Sequence, residues 1–330
     1  MPGKALPSPG PIRQGMGVPW TGLGFVRVRG YDRGSLSGVI MSRIAYVNGR
    51  YLDQRLAEVN IEDRGYQFGD GIYEVVHLYN GRFIDEDRHL DRLERSLREI
   101  RLPMPVSRPA LRHVLAEVAR RNRVTEGLLY MQVTRGVARR DHAFPARSVP
   151  PALVVTVKRI AAYPTDVDRW AGACITLPDL RWARRDIKSI NLLPNCLARQ
   201  AAREQGAIEA ILFDPDSGTV TEGAATNFWI VDEHGVIRTR HLDHVILPGC
   251  TRGALLAELE AAGIAFEERD FSIEEMRRAR EAFLTSATSF VKPITRIDGA
   301  PVGDGEVGPV VRRLFEIFAR HVKGDRRNAA

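Results

Sequence analysis

The stretch EDRGYQFGDGIYEVV, Glu62 to Val76, sets Gly65, Gly69 and Gly71 among aromatic and acidic residues and runs directly into alternating apolar positions. This is the pattern of a sharply turned segment delivered onto the start of a β-strand. It is not a phosphate loop, because no Lys-Ser/Thr follows the glycines and no helix is expected to open there. A plain β-turn packed by two tyrosines fits the same residues as well as an active-site turn does. Working outward, GIYEVVHLYNGRFID turns at Asn80-Gly81 and RIAYVNGRYL at Asn48-Gly49, two hairpin signals. DRHLDRLERSLREI places Leu90, Leu93, Leu97 and Ile100 at helical spacing. Ser107 can cap a second helix with Leu111, Val114, Leu115 and Val118 on its buried side. GLLYMQVTRG and PALVVTVKRI complete a first α+β unit ending near Ile160.

AAYPTDVD reads as a linker, with Pro164 and no apolar period. Beyond it, ACITLPDL opens a second unit. A helix over 192–205 follows, then short strands in EAILFD, TVTEG, TNFWIVD and VIRTR. Further helices are predicted over 251–262, near 273–280 and near 307–322, with strand AFLTSATS and hairpin ITRIDGAPV between the last two. Strands outnumber helices and the hairpins are tight, so a simple doubly wound sheet is excluded. The expected organisation is a leader (1–41), a small α+β domain (42–161), a linker (162–168), a larger domain (169–324) and a tail (325–330).

The 330 residues carry a formal net charge of +7, with 44% hydrophobic and 27% charged residues, ordinary for a globular protein. The Gly/Pro-rich leader holds Lys4, Arg13, Arg27, Arg29 and Arg33 against Asp32, so +4 of the total lies there. It reads as disordered, or as preceding a true start at Met41. The remaining +3 leaves little for a nucleic-acid-binding reading. No stretch is apolar for long enough to span a membrane as a helix, and no signal peptide is expected. Cys174, Cys196 and Cys250 form no CxxC and no even framework, which points to reduced thiols in a cytoplasm and to no metal site.

Lysine usage singles out one residue. Of 48 basic residues only Lys4, Lys158, Lys188, Lys292 and Lys323 are lysines. A chain that uses Arg for plain charge has reason to keep Lys where an amine must lose its proton and add to a carbonyl. Lys188, in RRDIKSINLLPN, stands among largely apolar and amide neighbours. A surface lysine left by chance is the competing reading.

Seven strings then occur in order: DRGYQFGDGIYE, HLDRL, VTRGVARRDHAFP, DIKSINLL, AILFDPDSGTVTEGAATNFW, ILPGCTRG and FLTSATS. Together they resemble the fold-type IV pyridoxal-phosphate aminotransferases, most closely those acting on D-amino acids, from about Ile44 to about Phe318. The resemblance implies a mixed α+β, two-domain fold, with pyridoxal 5'-phosphate held by Lys188 as a Schiff base. Glu222 would pair with the pyridine nitrogen, which lets the ring accept electrons. Arg92 would hold the phosphate, although Arg88, Arg95 and Arg98 share its helix. Leu247 would bind the cofactor, Cys250 and Thr251 would contribute at a helix start suited to phosphate, and Ser286, Ala287 and Thr288 at a second phosphate-facing stretch, Ala287 through its backbone alone. Tyr73, Arg140 and His142 would trap the substrate carboxylate, the last two reaching across a homodimer interface.

The implied reaction moves the amino group of a D-amino acid such as D-alanine to 2-oxoglutarate, giving pyruvate and D-glutamate by ping-pong turnover. On the same fold stand a branched-chain L-amino acid or (R)-amine transaminase, which use other residues around the carboxylate, and a lyase acting on aminodeoxychorismate. A cofactor-free scaffold would not need Lys188, Glu222 and Arg92 together. The chain departs from the family at Ala224, Ala225 and Thr226, where serines are common, and Arg185 adds a charge beside the lysine strand.

Overall fold

The computed structural model describes residues 43–324. The expected leader and tail lie outside the described residues.

One sheet has six strands: β1 (Ile44–Val47), β2 (Arg50–Asp53), β3 (Gly71–Tyr79), β4 (Arg82–Phe83), β5 (Gly127–Thr134) and β6 (Ala152–Arg159). Their order is β2-β1-β6-β5-β3-β4, with every neighbour antiparallel. Both Asn-Gly pairs turn as their sequence predicts, with Asn48 and Asn80 in the left-handed region that such tight turns require. Three helices accompany this sheet: α1 (Arg64–Phe68), α2 (Glu86–Glu99) and α3 (Arg108–Arg121). The expected leucine faces of α2 and α3 pack with Val76, Leu129, Met131 and Val155 of the sheet. Truncating one of these, Leu93→Ala for instance, costs about 2–5 kcal/mol.

The other sheet has nine strands: β7 (Gly172–Pro178), β8 (Glu209–Phe213), β9 (Val220–Gly223), β10 (Asn227–Val231), β11 (Ile237–Thr239), β12 (Phe266–Glu268), β13 (Glu281–Ser286), β14 (Phe290–Ile297) and β15 (Ala300–Pro301). β7 runs parallel to β8 and β14, and β11 parallel to β12, while the other pairings are antiparallel. The sheet is accompanied by α4 (Val167–Trp170), α5 (Leu193–Glu204), α6 (Cys250–Ala261), α7 (Ile273–Arg277) and α8 (Pro309–Lys323). Leu255 and Leu259 of α6 and Leu314 and Phe318 of α8 enclose Trp229 and Phe283.

Two local expectations need correction. A helix does open inside the glycine segment. Asp63 caps it by accepting the Gly65 N–H at 2.8 Å, and Gly69 ends it at φ 66°. Five residues are too few to display a helical period in the sequence. The presumed linker runs into α4, capped by the Asp166 side chain, a device that the polar run there conceals.

Candidate active site

The alternation of β3 sorts its residues onto two faces. Ile72, Glu74, Val76 and Leu78 are buried on one, while Tyr73 and Val75 line a cavity on the other. Glu74 is fully buried on an otherwise apolar face, where an unpaired charge would be untenable. It accepts from Arg92 Nε at 2.7 Å and Nη2 at 2.9 Å, and from His89 Nδ1 at 2.8 Å. Burial by itself would raise the Glu74 pKa, but the Arg92 guanidinium and the His89 ring hold it below the usual carboxylate range. Burial likewise opposes protonation of His89, and the Cys250 sulfur and Glu74 outweigh it, pushing the ring up to about 9. Arg92 Nη1 donates to the Pro248 carbonyl at 2.9 Å, so the guanidinium is fixed at the cavity wall.

Lys188 is carried by a segment stitched to β3. The Tyr73 N–H donates to the Lys188 carbonyl at 3.1 Å and the Ile190 N–H to the Gly71 carbonyl at 3.1 Å. Gly69 beside it takes the left-handed φ of 66° that favours glycine, and a Cβ there, 2.3 Å from Asn191 Oδ1, would make that amide shift. Beneath, Arg95 pairs with Asp186 at 2.5 Å. The Lys188 amine sits 4.1 Å from the Tyr73 ring centroid, a cation–π distance.

Glu222, on β9, is 3% exposed. Its carboxylate accepts from Arg181 Nη1 at 2.7 Å, Asn227 Nδ2 at 3.0 Å and the Leu247 N–H at 3.2 Å. Burial pushes its pKa up, against the pull of Arg181. The Leu247 N–H is shared between both oxygens, so three donors hold this carboxylate at the cavity wall. Arg181 is itself clamped by Asp179, with Nη2 to Oδ2 at 2.7 Å and Nε to Oδ1 at 2.9 Å.

At another wall, α6 begins at Cys250 with no side-chain cap, so its leading N–H groups are available to an anion. The turn between β13 and β14 closes on itself: Ser286 Oγ bonds Ser289 Oγ at 2.8 Å and Thr288 Oγ1 at 3.0 Å. Where the chain lacks the customary serines, Ala224 anchors its carbonyl on Asn195 Nδ2 at 2.6 Å. Glu209 accepts from the Ala225 N–H at 3.3 Å and the Thr226 hydroxyl at 3.4 Å.

Lys188, Arg92, Glu222, Leu247, Cys250, Thr251, Ser286, Ala287, Thr288 and Tyr73 all line this cavity, together with Arg185. Arg140 and His142 do not. They are exposed on the loop after β5, where both pack on Phe68, His142 with 5.4 Å between ring centroids and Arg140 with its guanidinium 5.1 Å away. Buried Arg64 holds that loop by donating to the carbonyls of Asp141, His142 and Ala143. Among the described residues no cluster of His, Cys, Asp or Glu is placed to hold a metal ion, and no helix is long and apolar enough to cross a membrane.

The chemistry of this donor set fits a phosphorylated aldehyde. A primary amine, a buried acceptor for a ring N–H, and a cationic wall with an open helix start converge on one cavity. Glu74, His89, Arg181 and Asn227 are parts the sequence did not disclose. Of these only Glu74 left a sign, as the charged residue on an apolar strand face.

The chain belongs to the family of class IV aminotransferases, whose model matches residues 71–297 and so takes in this cavity. It is 40% identical over 277 residues to the D-alanine aminotransferase of Listeria monocytogenes, covering 84% of this chain and 95% of that one. It is 39% identical over 278 residues to that of Staphylococcus haemolyticus, covering 84% and 97%. Among solved structures it resembles the branched-chain aminotransferase of Thermoproteus uzoniensis with norvaline, with TM-score 0.75 and 26% identity, covering 87% of this chain and 96% of that one.

Proposed function

We propose that the protein is a pyridoxal 5'-phosphate-dependent D-amino acid transaminase that passes the amino group of a D-amino acid such as D-alanine to 2-oxoglutarate, yielding pyruvate and D-glutamate. The observation that carries this reading is the meeting of Lys188, Glu222 and the cationic wall in one cavity. The two D-alanine aminotransferases it resembles supply the stereochemistry.

When bound, the cofactor supplies an aldehyde and a sink for the electrons released at the substrate Cα. Arg92, the start of α6 and the Ser286–Thr288 turn would hold the phosphate. Glu222 would pair with the ring nitrogen and favour its protonated form, with Arg181 and Asn227 fixing the carboxylate's orientation. The Lys188 amine would hold the cofactor aldehyde and would move the proton at the substrate Cα. Leu247, which lines the cavity, donates to Glu222 through its N–H.

Arg140, His142 and Tyr73 take the substrate carboxylate, where an Arg fork suits a planar anion. Arg140 and His142 serve the cavity of a neighbouring subunit, so the active form is a homodimer. Their exposed place on a loop pinned by Arg64 supports that. A smaller unit (42–161) joined by 162–168 to a larger one (169–324) belongs to the same reading, supported by sheets built from 44–159 and 172–301. A cytoplasmic location agrees with cysteines that form no disulfide.

A branched-chain L-amino acid or (R)-amine transaminase is the second reading, favoured by the likeness to a branched-chain aminotransferase structure. A visible spectrum followed during addition of D-alanine and then of L-alanine separates the two. A cofactor band bleached by the D isomer alone supports the proposal. Bleaching by the L isomer alone transfers the function to the second reading, and absence of any band after added cofactor removes both.

A further inference from the structure

Past Tyr73 and Val75, the same face of β3 presents His77. It is 2% exposed, with its ring 4.4 Å from that of Phe290 and Nδ1 3.0 Å from the Ala287 carbonyl oxygen. A carbonyl has no proton to give, so Nδ1 carries the hydrogen and donates. Nε2 is then bare, and it has no partner among the described residues. Burial keeps the ring below its ordinary pKa, while the Ala287 carbonyl and the Glu126 carboxylate act weakly in the other direction. The ring is therefore neutral at physiological pH.

From this contact we infer that His77 is a positioning residue for phosphate recognition: by anchoring the Ala287 carbonyl it aims the N–H of the same peptide, that of Thr288, into the cavity. A trans peptide directs its C=O and N–H to opposite sides, and no cis peptide occurs among the described residues. Ala287 and Thr288 both line the cavity. The Ser286 hydroxyl is engaged inside the turn, with Thr288 Oγ1 and Ser289, so the turn's orientation depends on a partner outside it. Ala287 offers an anion no hydroxyl, which makes the aim of the backbone N–H decisive here. The inference rests on the cofactor reading above.

The test measures equilibrium binding of pyridoxal 5'-phosphate and of pyridoxal, which lacks the phosphate, to the full chain stripped of cofactor. His77→Phe keeps the stacking on Phe290 and removes the donor, whereas His77→Asn keeps an N–H near the Nδ1 position. The preference for the phosphorylated ligand should fall about tenfold in His77→Phe, the worth of one charge-assisted hydrogen bond, with pyridoxal affinity unchanged and the preference restored in His77→Asn. An unchanged preference in His77→Phe, or equal loss for both ligands, overturns the inference. If the unaltered protein shows no preference, the cofactor reading itself fails. Should His77→Phe not fold, hydrogen exchange of the unaltered protein decides: inorganic phosphate should slow exchange in a peptide spanning 284–290, and no slowing there overturns the proposed role.

Discussion

Replacing Glu74 by Gln keeps its volume and removes its charge, which isolates what the buried carboxylate does. In the native chain it answers two cations one helical turn apart, through bonds of 2.7 and 2.9 Å to Arg92 and 2.8 Å to His89. Taking away one partner of a buried ion pair costs about 3–5 kcal/mol. At about 2 °C per kcal/mol for a chain of this size, Tm should fall by about 6–10 °C. The pH dependence should change as well. With a folded pKa of about 9, raised above the usual histidine value of about 6.5, His89 contributes stability that is fully present below the unfolded value and lost as pH rises through 9. In Glu74→Gln that loss should be shallower, because one of the two groups holding the proton is gone. The assay is thermal unfolding of cofactor-stripped protein at pH 6, 7.5 and 9. A Tm within about 2 °C of the unaltered protein, about 1 kcal/mol, with the same slope against pH, would refute the reasoning.

Lys188→Ala should eliminate the visible cofactor band and turnover, and persisting turnover would remove this lysine from the chemistry. Arg140→Ala combined with His142→Ala should raise KM for α-amino acids by about tenfold or more and leave amines lacking a carboxylate little changed. Equal effects on the two substrate types would sink the carboxylate-trap role. Arg181→Gln withdraws the cation beside Glu222, whose carboxyl is already pushed up by burial, so its charged form should be lost at higher pH. The acid limb of the kcat profile should then move upward, and an unmoved limb would show that Arg181 does not set the charge of Glu222.

What could be read beforehand was local. Asn48-Gly49 and Asn80-Gly81 dictate their turns through their own backbone preferences, and the leucine spacing of α2 and α3 survives any arrangement of neighbours. The parallel pairing of β7 with β8 joins segments separated by a helix and leaves no mark in either. At the site, α2 carries four arginines that spacing cannot rank. The fold chooses Arg92 because Glu74, on another element, makes its burial tolerable, while Arg88 and Arg98 stay exposed. Arg181 and Glu222 meet across 41 positions, with nothing periodic to connect them. Arg140 and His142 drew attention only through the motif around them, and they lie outside the cavity that gathers the other candidates.

The hydrogen bond from the Tyr73 N–H to the Lys188 carbonyl bears on how such an enzyme changes over generations. On the proposed reading the Lys188 amine and the aromatic wall beside it are joined through main chain, so the side from which a proton would reach the substrate is written into strand register. Side chains around the cavity can drift and retune which amino acids fit. The handedness of proton delivery cannot be reversed by one codon, because that would mean moving a strand. Lineages built on this frame should diversify readily in substrate breadth, and they should invert product configuration only by relocating the carboxylate anchor.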